Sequence, residues 1–508
     1  MAGNVLFVTA DQWRGECLGV LGHPVVRTPS LDALAAQGVC FSRHYAQAAP
    51  CGPSRASLHT SLYLHNHRSA TNGTPLDARH PNWATEARRA GYDPVLFGYT
   101  DTSQDPRTLD PAHPFLRTYE GPLPGIRPVC MMGENPIAWA RWLEKKGYTI
   151  DEEPWKLLRR KKPGPDWEEG GHVPAPLAFP AEHHDTFFMV DQVIEHLSQR
   201  SGEPWFVHLS LYRPHPPWVA PEPYNALYDP ESLPGFVRAE SEAREAEQHP
   251  WLRFHLSRDY FRAPADERKL RRYKASYFGL MTEVDDQLGR LFAWLEAQGL
   301  WDSTLVVFTS DHGEQMGDHW MLGKSGYFDQ SYHVPLIVRD PRPASDASRG
   351  QVADVFTENV DVAPTLLEWI GTETPPAFEG RSLLPILAAG SAPAGWRSEA
   401  HWEYDFREVQ GGAPERTLGL RLHECSLAVL RSERHKYVHF AGLPPLFFDL
   451  ERDPGERTDR ARDPDYAPLV LEHAQRMLSW RMAHDDQTLT HMALTPAGVF
   501  ERKGARWR

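Results

Sequence analysis

Leu305-Val306-Val307-Phe308-Thr309-Ser310, running into Asp311-His312-Gly313-Glu314, is the stretch that decides the fold. An apolar, β-branched run without polar alternation fits a strand covered on both faces, as in a parallel sheet. Its end is abruptly polar. In open α/β sheets ligands bind outside the carboxyl ends of the strands, so Asp311 and His312 are candidate site residues. The pattern recurs upstream. Residues 5–10 lead into Asp11-Gln12-Trp13-Arg14, residues 93–98 into Tyr99-Thr100-Asp101, and residues 205–211 into Tyr212-Arg213-Pro214-His215. Residues 335–339 make a further strand. Helices are predicted between them: 28–38, capped by Thr28, opened by Pro29 and closed by Gly38; 83–90; 186–199; 273–299; and 361–370, closed by Gly371. In the 273–299 helix Tyr277, Leu280, Met281, Val284, Leu288, Leu291 and Leu295 form a core-facing stripe. Strands alternating with helices predict an α/β fold, a large doubly wound, mostly parallel sheet flanked by helices.

Other segments interrupt this alternation. Residues 102–180 are rich in Pro and charge, as in Lys161-Lys162-Pro163-Gly164-Pro165. They read as an inserted rim of loops and short helices over the site. Residues 228–272 read as a charged, helix-prone surface excursion. Thr372-Glu373-Thr374-Pro375-Pro376 is the best linker signal, which places a catalytic domain at 1–375 and a smaller C-terminal domain at 376–508. The tail from Ser479 carries Trp480, Met482, Met492, Phe500 and Trp507. It either docks on a neighbouring subunit or packs on its own chain.

With 508 residues, 41% hydrophobic and 24% charged, the chain can build a large core. Net charge is −14 with no long basic run, which argues against nucleic acid or an anionic membrane as main partner. Cys17, Cys40, Cys51, Cys130 and Cys425 show no paired spacing, so neither a disulfide framework nor a zinc knuckle is indicated. The N-terminus lacks a basic region followed by a long apolar stretch, and no segment reaches about 18 uninterrupted apolar residues. A cytoplasmic location is expected.

One rim of a doubly wound sheet would gather Asp11, Gln12, Tyr99, Asp101, His215, Asp311 and His312. Two of them have an ordinary alternative: Asp11 also suits a turn cap, and Asp101 is as readily structural as functional. Together, Asp11, Gln12, Asp311 and His312 offer carboxylate, amide and imidazole donors for one divalent cation. That set suits Mn²⁺ or Ca²⁺, and the imidazole favours Mn²⁺; zinc would ask for more His or Cys. His183-His184-Asp185 holds ligand types too, but Asp185 opens a core-packed helix, the preferred reading. Pro50-Cys51-Gly52-Pro53-Ser54-Arg55 reads as a loop entering a helix, with Pro53 in the first turn and Cys51 at the N-terminus, where negative charge is favoured. A packed thiol at a helix start is the plain alternative. With Arg55, Lys324, His215 and a metal beside it, the position suits in-line transfer of a phosphoryl or sulfuryl group. A cysteine-phosphatase loop is excluded, because position 57 is Ser where that loop needs Arg.

Cys51-Gly52-Pro53-Ser54-Arg55 resembles the Cys-x-Pro-x-Arg motif of type I sulfatases. With Asp11-Gln12-Trp13-Arg14 and Ser310-Asp311-His312-Gly313, the chain looks most like phosphonate monoester hydrolases and their arylsulfatase relatives in the alkaline phosphatase superfamily. The segment from Lys436-Tyr437 to Phe448-Asp449-Leu450-Glu451-Arg452-Asp453-Pro454 resembles the C-terminal antiparallel sheet of sulfatases. The resemblance implies that a formylglycine-generating enzyme oxidises Cys51 to formylglycine (3-oxoalanine). One hydroxyl of its hydrate would attack phosphorus or sulfur. Loss of the proton from the other would release the product by C–O cleavage. It further implies that Arg55 steadies the hydrate, that His215 and Lys324 contact substrate, that Asn72 and Tyr99 line the pocket, and that the protein is a homotetramer. Three departures from typical sulfatases stand out: Gln12 replaces Asp, His312 replaces Asn, and Gly98-Tyr99-Thr100-Asp101 replaces a Gly-Lys-x-His strand end. Less positive charge there favours singly charged esters. The expected activity is hydrolysis of phosphonate monoesters and phosphodiesters, with aryl sulfates alongside. A dedicated arylsulfatase is the alternative, and an inactive binding protein is another if Cys51 stays unmodified.

Overall fold

The computed structural model describes residues 3–162, 173–200 and 202–502; Pro163-Gly164-Pro165 and Trp507 lie outside the described residues. The main sheet has eight strands in the order β5-β4-β6-β1-β7-β8-β2-β9. They are β1 (Asn4–Ala10), β2 (Val39–Tyr45), β4 (Pro94–Gly98), β5 (Arg127–Met131), β6 (Phe206–Leu211), β7 (Thr304–Thr309), β8 (Leu336–Arg339) and β9 (Gln351–Glu358). All neighbours pair in parallel except β8, which runs antiparallel to both β7 and β2.

Strand periodicity distributes one apolar run between two cores. Leu6, Val8 and Ala10 of β1 and Val306 and Phe308 of β7 face one side. There they join Phe188, Val190 and Val193 of the Asp185–Ser198 helix and Met281, Val284 and Leu288 of the Glu267–Ala297 helix. Val5, Phe7, Leu305 and Val307 face the other side, onto Trp83 and Ala84 of the Trp83–Arg89 helix and Leu366 and Leu367 of the Val362–Trp369 helix. Coverage on both faces explains why these strands carry no polar alternation. The long helix starts earlier than its apolar stripe predicts, because Asp266 accepts the N–H groups of Arg268 and Lys269 and caps a charged first turn. Thr28 does not cap its helix. Its hydroxyl oxygen accepts the Gly19 N–H and it donates to Asp32.

A second sheet, order β13-β12-β11-β10-β3, joins β10 (Glu399–Asp405), β11 (Ser426–Ser432), β12 (His435–Phe440) and β13 (Leu446–Asp449) as antiparallel neighbours. Its edge is β3 (Ala48–Ala49), from just ahead of Cys51, paired in parallel with β10. The shared core includes Trp251, Leu252 and Leu256 with Tyr327, Trp402 and Phe406. Part of the predicted surface excursion at 228–272 is therefore interior: the short Pro250–Leu256 helix buries Trp251 behind a charged exterior. In the 102–180 segment the structure adds β5, an edge strand, the position in a sheet that tolerates a proline such as Pro128.

The tail divides. Trp480, at the end of the Ala467–Ala483 helix, packs on Tyr63 and stacks on His401. Beyond it, the hairpin of β14 (Met492–Thr495) and β15 (Gly498–Glu501) is exposed along both strands. Among the described residues no helix is long and apolar enough to cross a membrane.

Candidate active site

The polar strand ends do converge. β4, β6, β1 and β7 are consecutive parallel strands, so Tyr99, Asp101, His215, Asp11, Gln12, Asp311 and His312 leave the sheet at one rim. β4 and β6 close tightly there: Gly98 has φ +113°, and a Cβ would lie 1.8 Å from the Ser210 carbonyl oxygen. Opposite the rim, the Cys51–Thr60 helix points its N-terminus at the strand ends. Pro50 is its N-cap, Pro53 lies in the first turn, and the Gly52 N–H donates to Asn72 Oδ1 at 2.9 Å. Asn72 thus fastens the helix start.

Arg55 is fully buried and ties the strands together. Its Nη2 donates to Asp11 Oδ2 at 3.0 Å, its Nε to Asp311 Oδ2 at 2.9 Å, and its Nη1 to Ser210 Oγ at 2.8 Å and the Tyr99 carbonyl at 3.1 Å. The guanidinium stacks 4.2 Å from the Tyr99 ring centre, and Asp101 Oδ2 lies 3.8 Å from Nε. The Tyr99 hydroxyl donates to Asp11, and the Ser54 hydroxyl to the Asp311 carbonyl. His312 Nε2 stands 3.3 Å from Cys51 Sγ, 3.7 Å from Asp11 Oδ1 and 3.5 Å from Asp311 Oδ2. Lys324 Nζ donates to Gln12 Oε1 at 2.6 Å and lies within electrostatic reach of Cys51, Asp11 and Asp311.

Electrostatics follow from burial among these charges. Burial alone would raise the Asp11 carboxyl, but His215, Lys324, His312 and Arg55 together hold it well below the usual carboxylate range. Asp311 goes the other way, to about 6, through burial and repulsion from Asp11. Burial, reinforced by Lys324, pushes the imidazoles of His312 and His215 down to about 3, so both are neutral at neutral pH. Burial and Asp11 push the Cys51 thiol well above its ordinary value. A reactive cysteine needs the opposite shift, so the unmodified thiol is a poor nucleophile here.

The donors fit a cation. One ligand atom from each of Asp11, Cys51, Asp311 and His312 lies within 4.8 Å of the others. Asp11 Oδ1 is buried without a hydrogen-bond partner, and His312 presents a neutral ring nitrogen. Two carboxylates and an imidazole suit an intermediate divalent ion.

Some residues escaped the sequence reading. Glu314 is buried, accepts from Gln12 Nε2 and from the Met316 and Gly323 N–H groups, and so orients Gln12 and the loop bearing Lys324. Its place in Asp-His-Gly-Glu was the available signal. His184 and Asp185 stay away from the cluster. Asp185 pairs with buried Arg213, whose Nη1 donates to the carbonyls of His215 at 3.3 Å and Pro217 at 2.8 Å. They brace the His215 loop.

Residues 3–372 match the Sulfatase family. The chain belongs to the sulfatase family. Residues 317–483 also match the family described as N-sulphoglucosamine sulphohydrolase, C-terminal. The chain is 44% identical to the multifunctional alkaline phosphatase superfamily protein PehA of Trinickia caryophylli, over 98% of this chain and 99% of that one. Its structure is similar to the phosphonate monoester hydrolase of Agrobacterium radiobacter, with TM-score 0.93 and 44% identity over 99% and 100% of the two chains. It is similar also to the phosphonate monoester hydrolase SpPMH of Silicibacter pomeroyi, with TM-score 0.92 and 40% identity over 98% and 99%. Sulfatase-family members use a divalent metal and formylglycine, and the cluster around Cys51 is a group able to hold an ion.

Proposed function

We propose that this chain hydrolyses phosphonate monoesters and phosphodiesters, with aryl sulfates as additional substrates, and that residue 51 acts as formylglycine. The observation that carries the reading is the convergence of position 51 with Asp11, Asp311 and His312 inside a chain similar over its whole length to phosphonate monoester hydrolases. A divalent ion held by Asp11, Gln12, Asp311 and His312 would polarise the phosphoryl or sulfuryl oxygen, while the hydrated aldehyde at 51 would supply the attacking hydroxyl.

The other side chains prepare the ground. Arg55 fixes both metal-binding carboxylates in their ionised, ligating orientation. Lys324, within electrostatic reach of residue 51, places positive charge where negative charge grows on the transferred group. His215, neutral and held by its braced loop, contributes a ring nitrogen for a substrate oxygen. Tyr99 fills the end of β4 with a neutral phenol already donating to Asp11. That leaves less positive charge for a dianionic phosphate monoester than for a singly charged ester. Mn²⁺ is the preferred ion on the imidazole and amide donors; elemental analysis finding Ca²⁺ as the bound ion would overturn that choice.

A dedicated arylsulfatase is the second reading, favoured by the family match. Phosphonate esters and aryl sulfates both carry one negative charge, so charge does not divide them. With 4-nitrophenol as the common leaving group, kcat/KM for a phenylphosphonate is expected to equal or exceed that for the sulfate. A sulfate preference of several orders of magnitude would refute the first reading and establish the second.

A further inference from the structure

A cavity of ≈ 250 Å³ opens beside Tyr99. Met131 at the end of β5, Met132 and Ile137 give it apolar lining; Thr118, Glu120 and Asn135 are its polar lining, and Glu120 is the one charged group among them. Gly133 permits this arrangement, since a Cβ there would lie 1.9 Å from Glu120 Oε1. The same oxygen accepts the Glu134 N–H at 2.6 Å. Among the described residues neither Glu120 nor Glu134 has an ion-pair partner. The rim nevertheless communicates with the catalytic cluster. Glu120 is within electrostatic reach of Arg55 and Asp101, and Tyr119 is within reach of Glu134, Asp101 and Cys51. Asp101 is buried, and its Oδ1 has no hydrogen-bond partner. The pocket beside Tyr99 thus combines apolar side chains with one carboxylate, and its described lining holds no lysine or arginine.

We propose that this cavity seats the organic group that stays on the reacting phosphorus, and that Glu120 selects neutral or cationic groups over anionic ones. The inference rests on the phosphonate monoester and phosphodiester reading. Gln12 follows β1 and Lys324 follows β7, whereas the cavity is lined by Tyr99 after β4 and by Met131 of β5, so a leaving oxygen beside Lys324 would direct the other substituent toward β4 and β5. A neutral alkyl or aryl group gains from burial on the methionines. A quaternary ammonium gains also from the Glu120 carboxylate. A carboxylate-bearing group meets the like charge of Glu120, which at separations of about 6 Å near a protein surface disfavours it by about tenfold or more.

The test uses 4-nitrophenyl phosphodiesters whose second ester group is ethyl, 2-(trimethylammonio)ethyl or 2-carboxyethyl, so that the leaving group never changes. In the natural protein kcat/KM for the carboxyethyl diester is expected at least about tenfold below the ethyl diester. Glu120→Gln should close most of that gap and lower the relative preference for the cationic diester. Ile137→Lys, at a position 45% exposed, should close it independently. No discrimination in the natural protein, or an identical ratio in both variants, would overturn the pocket assignment while leaving the phosphodiesterase reading intact. Turnover of 4-nitrophenyl sulfate with none of the three diesters would overturn that reading and the assignment with it.

Discussion

Cys51→Ala is expected to lower kcat/KM for every ester substrate by about 10⁴-fold or more, because the variant cannot form the aldehyde and has no other nucleophile at that point. The fold should hardly notice. Cys51 is small, sits at the first turn of its helix, and the Arg55 network that joins the strand ends does not pass through its sulfur. A loss of about 1 kcal/mol is expected, which moves the thermal midpoint by a few degrees at most. Steady-state kinetics and thermal unfolding on the same preparation check both parts. Activity within tenfold of the natural protein would remove residue 51 from the chemistry.

Arg55→Ala is expected to do the reverse, damaging the fold and the chemistry together. Its guanidinium compensates Asp11 and Asp311, both fully buried. Removing one partner from a buried ion pair leaves charge without compensation and costs about 3–5 kcal/mol. The two carboxylates would then repel, and one would take a proton. Asp311, already raised to about 6, is the one that yields. A protonated Asp311 is a poor ligand, so metal affinity should fall along with kcat/KM, by at least about 100-fold each. Arg55→Lys restores charge without the planar fork that reaches Asp11, Asp311 and Ser210 at once. It should recover part of the stability and little of the activity. Unchanged metal affinity and thermal midpoint in Arg55→Ala would show that the two carboxylates do not depend on it.

What could be read from sequence, and what could not, follows from how each signal is carried. β1, β6 and β7 are buried on both faces, so their apolar runs and polar ends are visible without any knowledge of neighbours. The rim residues follow directly, because parallel strands must end together. β5 sits at the sheet edge with three exposed residues, one of them a proline, and leaves no apolar pattern to find. Trp251 is hidden in another way: the charged residues around it face solvent, while its own partners, Tyr327 and Tyr404, come from distant segments. Thr28 obeys the capping preference locally but spends its hydroxyl on Gly19 and Asp32, a tertiary choice. Glu314 and Arg213 both follow strand ends in the sequence, but their roles depend on which side chains and carbonyls they hold, and only three-dimensional packing reveals that. The second sheet borrows β3 from the segment leading to Cys51, so the C-terminal strands also help set the entry to the catalytic helix.

The account turns on the chemical identity of residue 51. Mass spectrometry of the peptide containing it, from active protein, measures that directly. Conversion of cysteine to formylglycine lowers the mass by about 18 Da. The converted fraction is expected to rise in proportion to specific activity across preparations. Full activity with an intact cysteine at position 51 would contradict the account.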